Sequence, residues 1–325
     1  MSAVVTVTPE ALALSAAKFR KDLLMMPVIA LANSLDHMSL RVGIRGKETV
    51  GQLGGSIQIG PYSATREDSD GMTIKGRSLE TYFGSVIKNF EPNSVAKSIY
   101  GDTVLSGQGL TNTAITVLVV GFLAKQVSKE INKVLWSAVR NDSGTVTADL
   151  FSGYDTITAA EIAAETPSIS VAKGNLIELG AAITNSNAVD MLKSIYQSAS
   201  DELQGVPTKM FISKSQYNAY CEDYQASNGA LPYNTAFKKT YLEGSDDLCE
   251  LVALPNKKGS PYIHLTEKSN MLVGVDQMGD VETITVEKHA AFNLQFVMAM
   301  FFGVQFETVS SERLMVAKLY VAPHA

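Results

Sequence analysis

The side chains able to do chemistry are few and scattered. Four histidines, His37, His264, His289 and His324, stand far apart in the chain. None has the H-x-H or H-E-x-x-H spacing that would aim two imidazoles at one metal ion, and they read as surface or satisfied core residues. Two cysteines, Cys221 and Cys249, lack C-x-x-C spacing. They are too few for a zinc cluster or a disulfide framework and point to a reducing, intracellular compartment. Cys221 has Tyr217, Tyr220 and Tyr224 around it at helical spacing; it would be a nucleophile only beside a base, and a small packed core residue is the plainer reading. Gly46-Lys47 is followed by Glu48, where a phosphate-binding loop needs Ser or Thr, and the four-residue run from a first glycine is missing. Neither Gly107-Gln108-Gly109 nor Gly153-Tyr154-Asp155 supplies the serine of a nucleophile elbow. The carboxylate pairs Asp246-Asp247 and Glu67-Asp68 fall in hydrophilic stretches, where solvation accounts for them. No catalytic residue, cofactor-binding residue or metal ligand is assigned.

The balance of the whole chain narrows the classes further. Its 325 residues are 46% hydrophobic and 18% charged, with a mean hydropathy of +0.07. That is a globular composition, long enough for about two domains or one domain with insertions. Lys and Arg number 27 against 33 Asp and Glu, a net charge of −6, which argues against a basic surface gripping nucleic acid. The run from Lys18 to Ala32 imitates a secretion signal, but it contains Asp22 and is interrupted by Pro27, so it is read as part of an arm. The longest apolar stretches, 114–124 and 296–304, fall short of the ~20 residues a membrane span needs.

The elements that would have to position any function come next. Residues 9–36 read as a helical arm divided at Pro27. Gly43, Gly46, Gly51, Gly54, Gly55 and Gly60 then sit between β-branched positions, a spacing suited to twisted ribbon. Met72 to Lys75 and Leu79 to Ile87 alternate as strands around the polar turn 66–71. The sum is a long hairpin with little core of its own, which must lie upon something; removal of residues 44–84 should leave the rest folded. Thr113 to Arg140 carries apolar residues with helical period, a rod of about 42 Å at 1.5 Å per residue. Mixed short elements follow: a helix over Val189–Leu203, a buried strand over Lys209–Ile212 and a helix over Lys214–Tyr224. Strands close the chain at Tyr262–Leu265, Met271–Val275, Thr283–Val286, Gln295–Glu307 and Leu314–Val321. Phe292, Phe296, Phe301, Phe302 and Phe306, with Met298 and Met300, suggest a strand buried on both faces.

These late segments carry a resemblance. The run Pro261 to Asp276, then Asp280, then Phe301-Phe302-Gly303-Val304-Gln305-Phe306, resembles the end of tailed-bacteriophage major capsid proteins of the Hong Kong 97-type fold. Asn270, Gly274, Asp276, Gly303 and Gln305 occupy the places of that family's "NL..G.D" strand and closing "G.Q" strand. Pro207 to Ser213, followed by Tyr217 to Tyr220, is similar to its strand-then-helix passage. The order of arm, loop, long helix, mixed region and closing strands agrees over nearly the whole chain.

The resemblance implies an α+β fold: an N-terminal arm (1–40), an extended β-hairpin loop with flanking strands (41–90), a peripheral domain with a long spine helix (91–150), a mainly axial α+β domain (151–285) and closing strands of the peripheral domain (286–325). It implies a structural protein, not an enzyme, forming the hexamers and pentamers of an icosahedral virion shell. The shell would enclose double-stranded DNA without sequence-specific binding, assemble in the host bacterial cytoplasm with a separate scaffolding protein and a portal, and need no membrane and no cofactor. Heterologous contacts between copies would close rings and then shells. Two other readings stay open at this point. One is an encapsulin-like compartment shell holding protein cargo; the other is a soluble enzyme whose site gathers scattered residues such as Cys221 and His264.

Overall fold

The computed structural model describes residues 32–54, 73–90, 112–229, 240–276, 284–290 and 293–320. Most of the arm expected over 9–36, the turn 66–71, Phe292 and His324 lie outside these residues. The chain runs through a short helix α1 (Ala32–Leu35) into strand β1 (Ser39–Val42), then β2 (Lys47–Gly54), β3 (Thr73–Glu80) and β4 (Tyr82–Phe90). Helix α2 (Asn112–Val134) and helix α3 (Tyr154–Ala163) follow, then β5 (Leu176–Glu178), α4 (Ala188–Gln197), α5 (Asp201–Gln204), β6 (Thr208–Ser213) and α6 (Lys214–Asn228). The last third is strand: β7 (Cys249–Leu254), β8 (Tyr262–Thr266), β9 (Met271–Val275), β10 (Ile284–Ala290), β11 (Asn293–Phe306) and β12 (Leu314–Lys318).

Two five-stranded sheets organise these elements. In the second sheet, ordered β5-β12-β8-β6-β7, strand residues alternate between two cores. Met210, Ile212, Ile263, Leu265, Met315 and Ala317 join α4, α5 and α6 on one face, while Phe211, Tyr262, Leu314 and Val316 face Met271, Val273, Phe302 and Phe306 of the first sheet. Covered on both faces, this sheet has near-continuous apolar strands, as a central layer requires. The helix α4 shows why its segment folds onto that layer: Ala188, Val189, Leu192, Ile195 and Tyr196 repeat every three to four residues and are all buried. Helix α6 starts with a capping box, in which the Ser213 hydroxyl accepts from Gln216 N and the Gln216 side chain accepts from Ser213 N.

The first sheet runs β1-β9-β11-β10, with β4 also paired to β11. Its long strand β11 is antiparallel to β4 over Leu294–Phe302 and to β9 over Phe302–Phe306. The third sheet is the hairpin of β2 and β3, in register from Lys47↔Glu80 to Gly54↔Thr73. Between these strands and the body lies a core of Ile44, Val50, Leu79 and Leu272.

Four expectations change. The helix expected to Arg140 ends at Val134, about 34 Å of rod at 1.5 Å per residue. Beyond it Val139 N and Asn141 N donate to Ala148 O and Asp149 O. Gly153 packs so tightly on the turn that a Cβ there would lie 2.4 Å from Trp136 O. Leu135, Trp136 and Ala138 keep their burial without a helix, which is why the periodicity overran. The strand expected over Leu79–Ile87 breaks at Thr81 into two strands of different sheets, so cutting out 44–84 would remove Tyr82–Gly84 from the first sheet. The single helix expected over Val189–Leu203 is interrupted at Ser198–Ser200, where the Ser200 hydroxyl caps α5 by accepting from Leu203 N. Finally, β11 is not buried on both faces along its first half: Phe296 and Met298 are buried, but Val297, Ala299, Met300 and Phe301 are only half-buried.

Candidate assembly surfaces and the hairpin seat

The structure separates the residues that a scattered active site would need. Cys221 on α6 lies beside Tyr217 and Lys214, and burial pushes its thiol up. Cys249 is fully buried and pushed up to about 12; neither thiol is a thiolate at neutral pH. His264 is enclosed in β8 against Trp136 and Phe306, whereas Cys221 is half-buried on α6. His37 is half-buried with Nδ1 3.2 Å from Lys209 Nζ, and its proton affinity is lowered by burial and then by that ammonium. Asp246 and Asp247 hold a turn with φ of 53° and 58°; Glu67-Asp68 lies outside the described residues. Among the described residues no group of His, Cys, Asp and Glu is arranged to hold a metal ion, and no helix is long and apolar enough to cross a membrane.

One dense titratable set does exist: Asp155, Lys257 and His264. Lys257 Nζ lies 3.3 Å from Asp155 Oδ1, 3.2 Å from His264 Nδ1 and 3.1 Å from Ser260 Oγ. The three residues are 6%, 1% and 0% exposed. Burial raises the Asp155 carboxyl, lowers Lys257 to about 8 and, with the Lys257 charge, holds His264 well below its ordinary value. The set lines neither of two open grooves on the surface, one beside β4 and one at the hairpin root. It holds the interior together and has no route to a substrate through them.

The residues that carried the resemblance converge elsewhere, on the root of the hairpin. Gly274 of β9 and Gly303 of β11 are cross-strand partners. A Cβ at Gly303 would lie 2.0 Å from Glu80 O, and one at Gly274 would lie 2.8 Å from Thr81 Cγ2. The chain passing from β3 to β4 therefore crosses the sheet over two side-chain-free positions. Gln305 reaches the same root, donating to Ser78 O at 3.2 Å and accepting from Arg77 at 3.1 Å. Arg77 also pairs with Glu161 of α3 at 2.6 Å. Thr81 N donates to Gly46 O at 2.6 Å, Gly46 N donates to Thr81 Oγ1 at 3.0 Å, and that hydroxyl donates to Ile44 O at 3.0 Å. Gly46 takes φ +89° in this clasp, a conformation that favours glycine. Arg45 pairs with Asp276. Asn270 does a different job, tying β8 to the connection after β11: its Oδ1 accepts from Thr308 N at 2.8 Å and its Nδ2 donates to Thr266 Oγ1 at 2.9 Å. Sequence reasoning singled out Gly274, Asp276, Gly303 and Gln305 by pattern but not for seating a hairpin; the signal was glycine at in-register places of β9 and β11.

Beside the seat the first sheet shows an uncovered apolar face. Cross-strand neighbours share a face, so Phe83 with Phe301, and Ile87 with Val297, point the same way. Phe83 is 58% and Ile87 62% exposed, and the Phe83 and Phe301 rings meet at 5.0 Å. The opposite face of β4 borders an open groove of about 580 Å³ under α2, with Val86, Val127 and Met298 on one side and polar Arg140, Asp142 and Asp149 on the other. Large apolar side chains left outside in a group mark surfaces that another chain covers.

No protein-family model matches the chain, and no curated protein matches its sequence. Solved structures do. The capsid of a native GTA particle aligns with a TM-score of 0.59 at 12% identity, over 90% of this chain and 91% of that one. The capsid of cyanophage A-1(L) aligns at 0.55 and 15% identity, over 91% and 92%. The satellite phage P4 procapsid, a structure that includes size determination (Sid) protein, aligns at 0.53 and 11%, over 90% and 97%. The arrangement of two sheets, long helix and seated hairpin is thus the α+β fold of phage-type capsid proteins, the Hong Kong 97-type architecture expected from the late strands.

Proposed function

We propose that this chain is the major capsid protein of a tailed phage or prophage, building hexamers and pentamers of an icosahedral shell around double-stranded DNA. The observation that carries this reading is the hairpin: eight-residue strands joined to the body at their root, beside an apolar sheet face left open. A two-stranded ribbon is marginal alone in water, and exposed apolar strand surface is a liability unless a neighbour covers it. Tiling with further copies covers both, through heterologous contacts that close when the rotations close. The capsid fold over nine tenths of the chain supports it, as does the burial of the Asp155, Lys257 and His264 set. We read the protein as structural, without catalysis.

In this reading residues 1–40 form the arm, 41–90 the extended loop with flanking strands, 91–150 and 286–325 the peripheral domain, and 151–285 mainly the axial domain. An acidic chain suits a DNA container, because a basic lining would bind phosphates tightly and impede packing and release. A separate scaffolding protein and a portal would complete assembly in the bacterial cytoplasm, and the virion capsid is the final location. Electron microscopy of the protein expressed with the products of adjacent genes tests this reading, together with nuclease-protected nucleic acid in the particles. Shells with protected double-stranded DNA are the expected result. Shells filled with protein cargo would favour the compartment reading, and a monomer that turns over a substrate would favour an enzyme.

A further inference from the structure

His264 sits where hydrogen-bond accounting permits only one protonation state. Its Nε2 is 2.9 Å from Thr158 Oγ1, and that hydroxyl donates to Tyr154 O at 2.8 Å. The hydroxyl proton is thus committed, so Nε2 must carry a hydrogen and donate. Nδ1 is then the acceptor, and it faces Lys257 Nζ, a group with only donors to offer, at 3.2 Å. A proton on Nδ1 would set donor against donor and cation against cation in a site with no water-accessible surface on His264. The ring is hemmed in, stacked on Phe306 at 5.7 Å and tilted against Trp136 at 5.5 Å.

The surroundings join both sheets. Asp155, Tyr154 and Thr158 come from α3, Lys257 and Ser260 from the segment after β7, Trp136 from the turn after α2, Phe306 from β11, and Tyr262 from β8 itself. The titratable groups among them are Asp155, Lys257, Tyr154 and Tyr262. Asp155 Oδ1 lies 3.9 Å from His264 Nδ1, but it is nearer to Lys257 Nζ, at 3.3 Å. Lys257 Nζ also lies 3.7 Å over the Trp136 ring, which favours its charged form. The ammonium therefore stays in place as acid is added, and the imidazole bears the conflict.

We infer that this set is an acid-released clasp between the two sheets: protonation of His264 separates β8 from α3 and the Trp136 turn while each sheet keeps its own strands. This goes beyond the shell reading and does not depend on it. Above the ordinary histidine range the clasp is closed. As pH falls below about 6.5 the open form alone accepts the proton, so acid draws the equilibrium toward it.

Trp136 is the single tryptophan of the chain, and it forms one wall of the clasp. Titration of full-length protein from about pH 8 to about pH 4, following tryptophan emission, far-UV circular dichroism and amide exchange, reads the event directly. The expected result is a reversible emission change with a midpoint below 6.5 at retained far-UV signal, with amide exchange rising first in β8 and α3. In His264→Gln, whose amide can donate to Thr158 and accept from Lys257 without titrating, the change disappears. In Lys257→Met, which removes the facing charge, the closed form can hold the protonated ring beside Asp155, so the transition moves to lower pH or is lost. The second variant decides the matter if the first does not fold. Emission that stays constant until global unfolding, an undiminished transition in His264→Gln, or an unmoved midpoint in Lys257→Met would overturn the clasp.

Discussion

The second sheet and the hairpin are built from the same kinds of residue and end in opposite situations. In the second sheet every position of β8 and of its neighbour strand β12, save Lys318, is buried, and apolar side chains fill layers on both faces. Among the described side chains of the hairpin strands, Val50 and Leu79 are buried, and they pack with Ile44 and Leu272 of the body. Burial at about 25 cal/mol per Å² makes the sheet self-sufficient; the hairpin borrows its stability from a seat. A body that folds alone and a limb that does not is the division of labour expected of a subunit completed by its neighbours.

Variants can break or sharpen that division. The largest effect should come from the body: Asp155→Asn leaves the Lys257 ammonium buried without its counter-charge, a loss of about 3–5 kcal/mol in unfolding free energy. Denaturant titration reads it, and an unchanged midpoint would mean the ion pair does not hold the sheets. Next, Gly303→Ala forces a methyl into Glu80 O, a clash in the range of about 1–3 kcal/mol for overpacking. The account expects its consequences at the hairpin root, as raised amide exchange of residues 44–50 and 76–82 and poorer assembly.

Smaller again is Thr81→Val, which keeps the shape but removes a hydroxyl that donates to Ile44 O and accepts from Gly46 N. About 1–2 kcal/mol is expected, confined to exchange at the root. Least costly to the fold is Ile87→Ser, at an exposed position where substitution shifts stability by about 0.5 kcal/mol or less. Its effect should fall on assembly yield in sedimentation. If it destabilised the isolated subunit by more than Thr81→Val, the apolar face would belong to the body after all.

Much of this division was legible in the amino-acid order. The glycines between 43 and 60 and the alternation of 72–75 announced a ribbon, and Lys47–Gly54 pairs in register with Thr73–Glu80. The strand-then-helix passage at Thr208–Asn228 carries its own capping box. What was not legible depends on contacts distant in sequence. Helical periodicity continued past Val134 because Leu135, Trp136 and Ala138 remain buried in a turn, and only the distant Gly153 shows why. Thr81 divides two strands because Gly274 and Gly303, far along the chain, leave room for a crossing. The clasp joins residues 102 positions apart. Its one local sign was His264 in the middle of the otherwise uncharged strand Tyr262–Thr266, a polar group that burial obliges to find partners.

The central claim is that the hairpin completes itself on another copy of the chain. The most direct measurement compares sedimentation of the full chain with that of a variant in which residues 52–75 are replaced by a two-residue Asn-Gly turn. The cut follows the Gly51↔Gly76 pair and spares the root and β4. The account predicts closed, shell-sized particles from the full chain and, from the shortened one, a folded subunit with unchanged circular dichroism that does not close shells. Equal assembly by both chains, or unfolding of the shortened one, would contradict it.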